Sequence, residues 1–209
     1  MGFGILFLGY IFTVFDTGIL FIDSISVVFM KALSILGWII VTVGCGKLSK
    51  YIEKFYMAKA ASATLFILSA GDVVCHCLVT YKGIEISIVL RTVIYLLYAM
   101  TYFLFHFYLF GALKDVTADT GLEKENKKAK KLFYLNTVFC AVNFVSYLGI
   151  SDTLTAVRYL FFIFITVVNA AFIYTCYMWI CLPEDVDMKT KSEKKAEQKE
   201  GKKRKNAEK

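Results

Sequence analysis

The sequence predicts an all-α integral membrane protein, with six transmembrane helices in a bundle and both termini on the cytoplasmic face. Three observations lead to this prediction. The chain has 209 residues, of which 58% are hydrophobic and one is proline. A water-soluble domain of this length could not bury that much apolar surface. Apolar stretches of about 20 residues, enough to cross about 30 Å of hydrocarbon, recur along the chain. Basic residues gather in alternate connections.

The six predicted spans, with ends defined to within several residues, are 2–22, 26–45, 58–80, 88–112, 132–150 and 157–182. The last four are the clearest, because Asp16 interrupts the first span and Lys31 lies inside the second. No basic segment precedes the first span and no small-x-small site follows it, so we expect an uncleaved helix rather than a signal peptide. Residues 1–182 are therefore predicted to form one transmembrane domain.

The orientation follows from the lysines and arginines, because short loops rich in these residues stay on the cytoplasmic side. Of the 24 basic residues, 20 fall after the second span, after the fourth span or in the tail. This places both termini in the cytoplasm. The tail, 183–209, is a charged run without apolar periodicity, so we expect it to be disordered. It could simply set the topology, or it could also bind anionic lipid headgroups. It lacks aromatic residues for stacking on bases, so nucleic acid is not an expected partner.

The third span contains two ionisable residues, Asp72 and His76, in the stretch SAGDVVCHCLVTY. Their spacing of i and i+4 puts them on one face of a helix. A carboxylate facing lipid costs several kcal/mol, so Asp72 should face the bundle interior and meet a partner. Arg91, at the start of the next span, is the predicted partner, since a short connection makes the two helices antiparallel neighbours. The competing interpretation is electrostatic stapling of the helix ends, since Arg158 likewise follows an acidic residue after the fifth span.

Polar residues recur at helical spacing in five of the spans. The fourth span carries Arg91, Tyr95, Tyr98, Tyr102 and His106 within roughly an 80° sector at 100° per residue. The other stripes are Lys31, Trp38 and Thr42 in the second span; Ser62, Ser69, Asp72, His76 and Thr80 in the third; Asn136, Cys140, Asn143 and Tyr147 in the fifth; and Arg158, Asn169 and Cys176 in the sixth. Such residues can act only as hydrogen bonds between helices, or they can line a polar cavity.

The sequence does not indicate an enzyme. It contains none of the HExxH, GxSxG, SxxK or phosphate-loop motifs. The only arrangement with metal-ligand chemistry is Asp72, Cys75 and His76 on one helical surface, and no second ligating segment accompanies it, so we predict neither a metal site nor a cofactor.

These observations predict a helix-lined polar interior that binds or transports a small solute or ion. The residues predicted to form this path are Asp72, His76, Arg91, Tyr95, Tyr98, Tyr102, His106, Asn136, Asn143 and Arg158. The alternative is a membrane scaffold or sensor that does not transport, in which the basic tail and the 113–131 loop recruit a partner or anionic lipid. The pattern defines neither a protein partner nor an oligomeric state.

Overall fold

The computed structural model describes residues 2–17, 24–83, 87–147 and 152–180. Within these ranges the chain is helical and contains no β-strand. The α-helices are α1 (Gly2–Phe12), α2 (Ser24–Leu48), α3 (Lys54–Lys82), α4 (Ile88–Asp119), α5 (Glu123–Tyr147) and α6 (Asp152–Trp179). A short 3-10 segment, Thr13–Thr17, extends α1. The predicted tail lies outside the described residues.

Four of the described helices are long and apolar enough to cross a membrane. They contain the ranges Val28–Leu48, Lys54–Lys82, Thr92–Asp119 and Leu160–Trp179, which coincide with the second, third, fourth and sixth predicted spans. The first predicted span appears as a shorter apolar helix, Gly2–Phe15. The fifth coincides with α5, which begins with the charged sequence EKENKKAKK and is therefore less apolar as a whole. Four such helices indicate a multi-pass membrane protein.

The helices pack in sequence order around a shared interior. Each helix contacts the next one in the chain, and α6 contacts α1, which closes the ring. Neighbours run antiparallel, as residue pairs between α2 and α3 show: Lys31 lies beside Asp72, and Thr42 lies beside Ser62. The centre is filled by large side chains, among which Trp38 packs edge-on against Phe105 with 5.2 Å between ring centroids.

Glycines bring α1 and α2 into backbone contact. A Cβ atom added at Gly9 would lie 2.6 Å from the backbone nitrogen of Val41, and one added at Gly44 would lie 2.8 Å from the backbone nitrogen of Leu6. Gly37 is equally close to the backbone of α1. Small residues allow this approach, which gains van der Waals contact where apolar lipid provides no hydrophobic driving force. Gly37 and Gly44 are seven residues apart, two turns of α2, so they differ from the common pattern of small residues four apart.

The segment predicted as a loop, 113–131, is mainly helical. Helix α4 continues to Asp119 and α5 begins at Glu123, so only a tight turn separates them. Gly121 adopts a left-handed conformation (φ 69°), and its N–H donates to the Ala118 carbonyl while the Leu122 N–H donates to the Thr117 carbonyl. This is the Schellman pattern of a helix end. Lysine, glutamate and alanine favour helix, so the charged residues extend α5 instead of forming a loop.

Candidate functional site

Four buried polar side chains from four helices form one hydrogen-bonded chain, which we call the amide–imidazole network: Tyr10 (α1), His106 (α4), Asn136 (α5) and Asn169 (α6). Each is at most 2% exposed. The Tyr10 hydroxyl lies 2.8 Å from Nε2 of His106, and Asn169 Nδ2 donates to the same hydroxyl at 2.8 Å. Asn136 and Asn169 exchange two amide hydrogen bonds, of 3.0 and 2.8 Å. The network therefore ties together the α1, α4, α5 and α6 sides of the ring.

The partners in this network assign the position of each proton. Nδ1 of His106 lies 2.9 Å from the Tyr102 carbonyl, which can only accept, so Nδ1 carries the hydrogen. In a neutral imidazole Nε2 is then an acceptor, and the Tyr10 hydroxyl donates to it. The two N–H groups of Asn169 donate to Tyr10 and to Asn136. Those of Asn136 donate to Asn169 and to the Leu132 carbonyl.

Every N–H or O–H group in these four side chains thus has an acceptor within the protein. Contacts from four helices hold the groups in one arrangement, and a buried polar network that is fully satisfied rigidifies its surroundings. A ligand that accepts a hydrogen bond could bind here only by displacing an existing one. The geometry therefore indicates that the network stabilises the helix packing rather than binding a solute.

A second group of polar residues lies between α2, α3 and α4. Lys31 donates a hydrogen bond to the Asp72 carboxylate, so this pair bridges α2 and α3. The Asp72 carboxylate thus meets a cationic side chain on a neighbouring helix, as its position in an apolar span predicts. That side chain belongs to α2. The Arg91 side chain lies outside the described residues, so the pairing of Asp72 with Arg91 stays a prediction.

Contacts between the helices place further polar groups at the level of this pair. The pairs Lys31–Asp72 and Thr42–Ser62 fix the register of α2 against α3. Between these two pairs, Ser34 of α2 lies opposite Ser69 of α3. Helix α4 runs in the same direction as α2, and Trp38 packs against Tyr102 with 6.3 Å between ring centroids. Ser34 lies one turn before Trp38 on α2, and Tyr98 lies one turn before Tyr102 on α4. Three hydroxyl groups from three helices therefore share one level of the ring.

The three hydroxyl groups differ from the polar groups of the network because they lack hydrogen-bond partners within the described helices. Among the described residues, no hydrogen bond satisfies the hydroxyls of Ser34, Ser69 and Tyr98, the indole Nε1 of Trp38 or Nε2 of His76. Ser34 and Trp38 are 0% exposed and Ser69 is 5% exposed. We call the set Lys31, Ser34, Trp38, Ser69, Asp72, His76 and Tyr98 the α2–α4 cluster. An unpaired buried polar group costs about 1–3 kcal/mol, so these five atoms, on three helices that contact one another in sequence order, are candidates for hydrogen bonds to water or a ligand.

Aromatic rings on α4 connect the cluster to the network. Tyr98 stacks on Tyr102 at 6.3 Å between centroids, and the Tyr102 ring centroid lies 4.2 Å from that of His106. From Tyr98 to His106 is two turns, a rise of about 12 Å. The cluster and the network are therefore two layers of one interior, with Tyr102 packed between them.

The structure describes the side chains of eight of the ten predicted path residues. Asp72, His76 and Tyr98 belong to the α2–α4 cluster, while His106 and Asn136 belong to the network. Tyr102 (4% exposed) and Asn143 (7% exposed) are buried, and Tyr95 is partly buried. The side chains of Arg91 and Arg158 lie outside the described residues. Four residues of the predicted stripes on α4 and α5 thus point inward rather than toward lipid: Tyr102, His106, Asn136 and Asn143.

Two residues of these layers were absent from the predicted stripes, Tyr10 and Ser34. Tyr10 lies in the first span, which has no polar periodicity, although a tyrosine one turn before Thr13 in an otherwise apolar helix is a usable signal. Ser34 lies one turn before Trp38 and would extend the stripe of the second span. Lys31, Trp38, Ser69 and Asn169 were placed on stripes, but their spacing alone did not mark them as site residues.

The described part of the chain contains no cluster of residues suited to bind a metal ion. Within it, no group of three or more histidine, cysteine, aspartate or glutamate residues could hold a metal ion, so Asp72, Cys75 and His76 do not form one. Comparisons of the chain with protein-family models, with curated proteins and with solved structures find no match.

Proposed function

We propose that the protein is a six-helix membrane protein whose interior binds a small polar solute and passes it across the bilayer, with the α2–α4 cluster as the recognition site. The observation that carries this proposal is the group of buried polar atoms without partners beside the Lys31–Asp72 ion pair. In a membrane helix bundle, ionisable residues that face the interior are functional candidates. The neighbouring network is saturated, so the capacity to bind a solute is concentrated in the cluster.

The proposed topology has all six helices crossing the bilayer and both termini in the cytoplasm. The lysines of the first turns of α5, namely Lys124, Lys127, Lys128, Lys130 and Lys131, are exposed at the tip of the α4–α5 hairpin. Lys54 and Asp115 form an exposed ion pair of 2.6 Å at the same end of the ring. This distribution of basic residues supports a cytoplasmic hairpin tip. The cluster then lies in the half of the membrane away from the cytoplasm.

Uptake into vesicles tests the function with many solutes at once. The full chain is reconstituted into liposomes, which are incubated with a defined mixture of uncharged, zwitterionic and charged small solutes. The vesicles are isolated and their contents are quantified by mass spectrometry. We expect at least one solute to accumulate above the level in protein-free liposomes. Identical contents in both kinds of vesicle would contradict the proposal.

Two variants of α3 make the test specific to the cluster. Ser69→Leu replaces an unpaired buried hydroxyl opposite Ser34 with a larger apolar side chain and should abolish the accumulation. Ile67→Leu changes a side chain that is 65% exposed on the outer surface of the same helix and should leave it unchanged. Thermal unfolding of both variants shows whether they fold. Accumulation that survives Ser69→Leu in a folded protein would exclude the cluster as the recognition site.

A second candidate function is recruitment of anionic lipid headgroups by the basic residues at the cytoplasmic end. The exposed lysines of α5 favour it, since each basic residue near an anionic surface contributes about 1 kcal/mol. Deleting residues 189–209 should then reduce the amount of anionic lipid that co-purifies with the protein, and unchanged uptake would separate this role from transport. Intact localisation and lipid selectivity after the deletion would remove support for a role of the tail.

A further inference from the structure

Resting on the proposed function, we infer that the α2–α4 cluster recognises an uncharged solute that carries several hydrogen-bonding groups, such as a polyol or an amide, rather than an ion. The uncharged class follows from which groups of the cluster are already paired and which are not.

The charged groups of the described cluster are occupied by each other. Lys31 donates directly to Asp72, so their charges cancel and neither requires a ligand of opposite sign. Within the described cluster this leaves no unpaired ammonium or carboxylate group, and a monovalent ion bound beside the neutral pair would add a net charge inside a medium of low dielectric constant, which is unfavourable. A solute without ionised groups avoids this cost, whereas a zwitterion such as glycine would also have to lose the hydration of its two charged groups.

The groups left without partners are of the kind that binds neutral polar molecules. The hydroxyls of Ser34, Ser69 and Tyr98 can each donate and accept, and Nε1 of Trp38 can only donate. Nε2 of His76, one turn from Asp72 on α3, is also unpaired. These groups come from three helices, so a ligand that satisfied them would need several polar atoms, unlike a single ion with converging ligands.

The walls of the region are aromatic, which also suits a small organic solute. The ring of Trp38 meets Tyr102 at 90°, and Tyr98 stacks on Tyr102. Ligand sites typically combine such apolar surfaces with a few placed polar groups. The aromatic layer would form the floor of the site, and the saturated network would lie beneath it.

The two tryptophans of the chain allow a direct binding test. Trp38 is buried in the cluster, whereas Trp179 is 70% exposed near the end of α6. In the Trp179→Phe background Trp38 is the sole tryptophan, and its emission should shift to longer wavelength when Nε1–H gains a hydrogen-bond acceptor. The full chain in lipid nanodiscs is titrated with glycerol, glucose, urea and acetamide, and in parallel with glycine, sodium acetate and methylammonium chloride.

A matched serine pair on α3 makes the response specific. Ser69 and Ser62 are both buried and seven residues apart, so they share a face. The Ser69 hydroxyl has no partner among the described residues, whereas that of Ser62 donates to the Lys59 carbonyl and contacts Thr42 at 2.9 Å. Ser69→Ala should weaken the binding of the responding probe by about 2- to 10-fold, the effect of one hydrogen bond. Ser62→Ala should leave it unchanged.

Each outcome decides the inference. A saturable shift with an uncharged probe, weakened by Ser69→Ala but not by Ser62→Ala, supports it. A saturable shift only with glycine, acetate or methylammonium overturns the assignment to uncharged solutes but leaves the proposed transport function standing, with another ligand class. A response that does not saturate with any probe means that the cluster holds water only, and the inference fails. In that case the vesicle uptake assay decides separately whether the proposed function fails as well.

Discussion

The reciprocal amide pair of Asn136 and Asn169 provides the sharpest test of the interior packing. Asn136→Leu removes two hydrogen bonds between α5 and α6 and leaves one N–H group and Oδ1 of Asn169 unpaired. Asn169→Leu removes the same two bonds and also the bond to Tyr10. Hydrogen bonds between membrane helices contribute about 0.6 kcal/mol on average and up to about 1.7. Each single variant should therefore lose about 1–3 kcal/mol of unfolding free energy.

The double variant should lose less than the sum of the two single losses. Both single variants break the same two bonds, and two leucines replace a polar pair by an apolar pair with no amide left unpaired. The expected coupling energy is about 1 kcal/mol or more. The measurement is reversible unfolding of the full chain in mixed micelles with increasing SDS, followed by circular dichroism.

A distant asparagine serves as the control for this cycle. Asn126 bonds to the Lys114 carbonyl in the α4–α5 hairpin, about 15 Å along α5 from Asn136. Asn126→Ala combined with Asn169→Leu should be additive within about 0.5 kcal/mol. Additivity of Asn136→Leu and Asn169→Leu would refute the reciprocal pairing.

Three further predictions address the packing and the topology. Gly44→Ala should prevent close packing of α1 on α2 and cost several kcal/mol of unfolding free energy, since its Cβ would meet the Leu6 backbone. Gly71→Ala is the control, because a Cβ at Gly71 has nothing within 4 Å. It should stabilise α3 by up to about 1 kcal/mol in the same SDS titration. Tyr10→Phe should cost about 1 kcal/mol, because it leaves Nε2 of His106 and an N–H group of Asn169 without partners. A cysteine introduced in place of Lys128 should react with a membrane-impermeant thiol reagent only from the cytoplasmic side.

Contrary results would each remove one element of the interpretation. A Gly44→Ala protein as stable as the wild type would mean that α1 and α2 are not in backbone contact. An unfolding free energy unchanged by Tyr10→Phe would mean that Tyr10 is not a member of the network. Labelling of the introduced cysteine from outside would reverse the predicted orientation. In the labelling experiment the parent chain, with its native cysteines, provides the background.

The sequence predicted several residues of the candidate site but not all of their partners. His106 and Asn136 were predicted to lie inward because their neighbours recur at helical spacing, and both are buried in the network. Asp72 was predicted to meet a cationic partner because a lone carboxylate is costly in an apolar span. The identity of the partner depends on the register between two helices. Spacing along α3 does not contain that register, so the contact with Lys31 became visible only in the tertiary structure.

The sequence by itself determined the helical class, the approximate positions of the apolar helices and the inward direction of polar residues such as His106, Asn136 and Asn169, because hydrophobicity and helical periodicity are properties of local sequence. Only the tertiary structure decided which polar groups are satisfied. The pairing of Asn136 with Asn169, and the lack of partners at Ser34 and Ser69 within the described ranges, depend on the distance between atoms far apart in the chain. That distance is set by how the helices pack, including the approach of Gly9 and Gly44 to the opposing backbones, and a pattern along one helix carries no information about it.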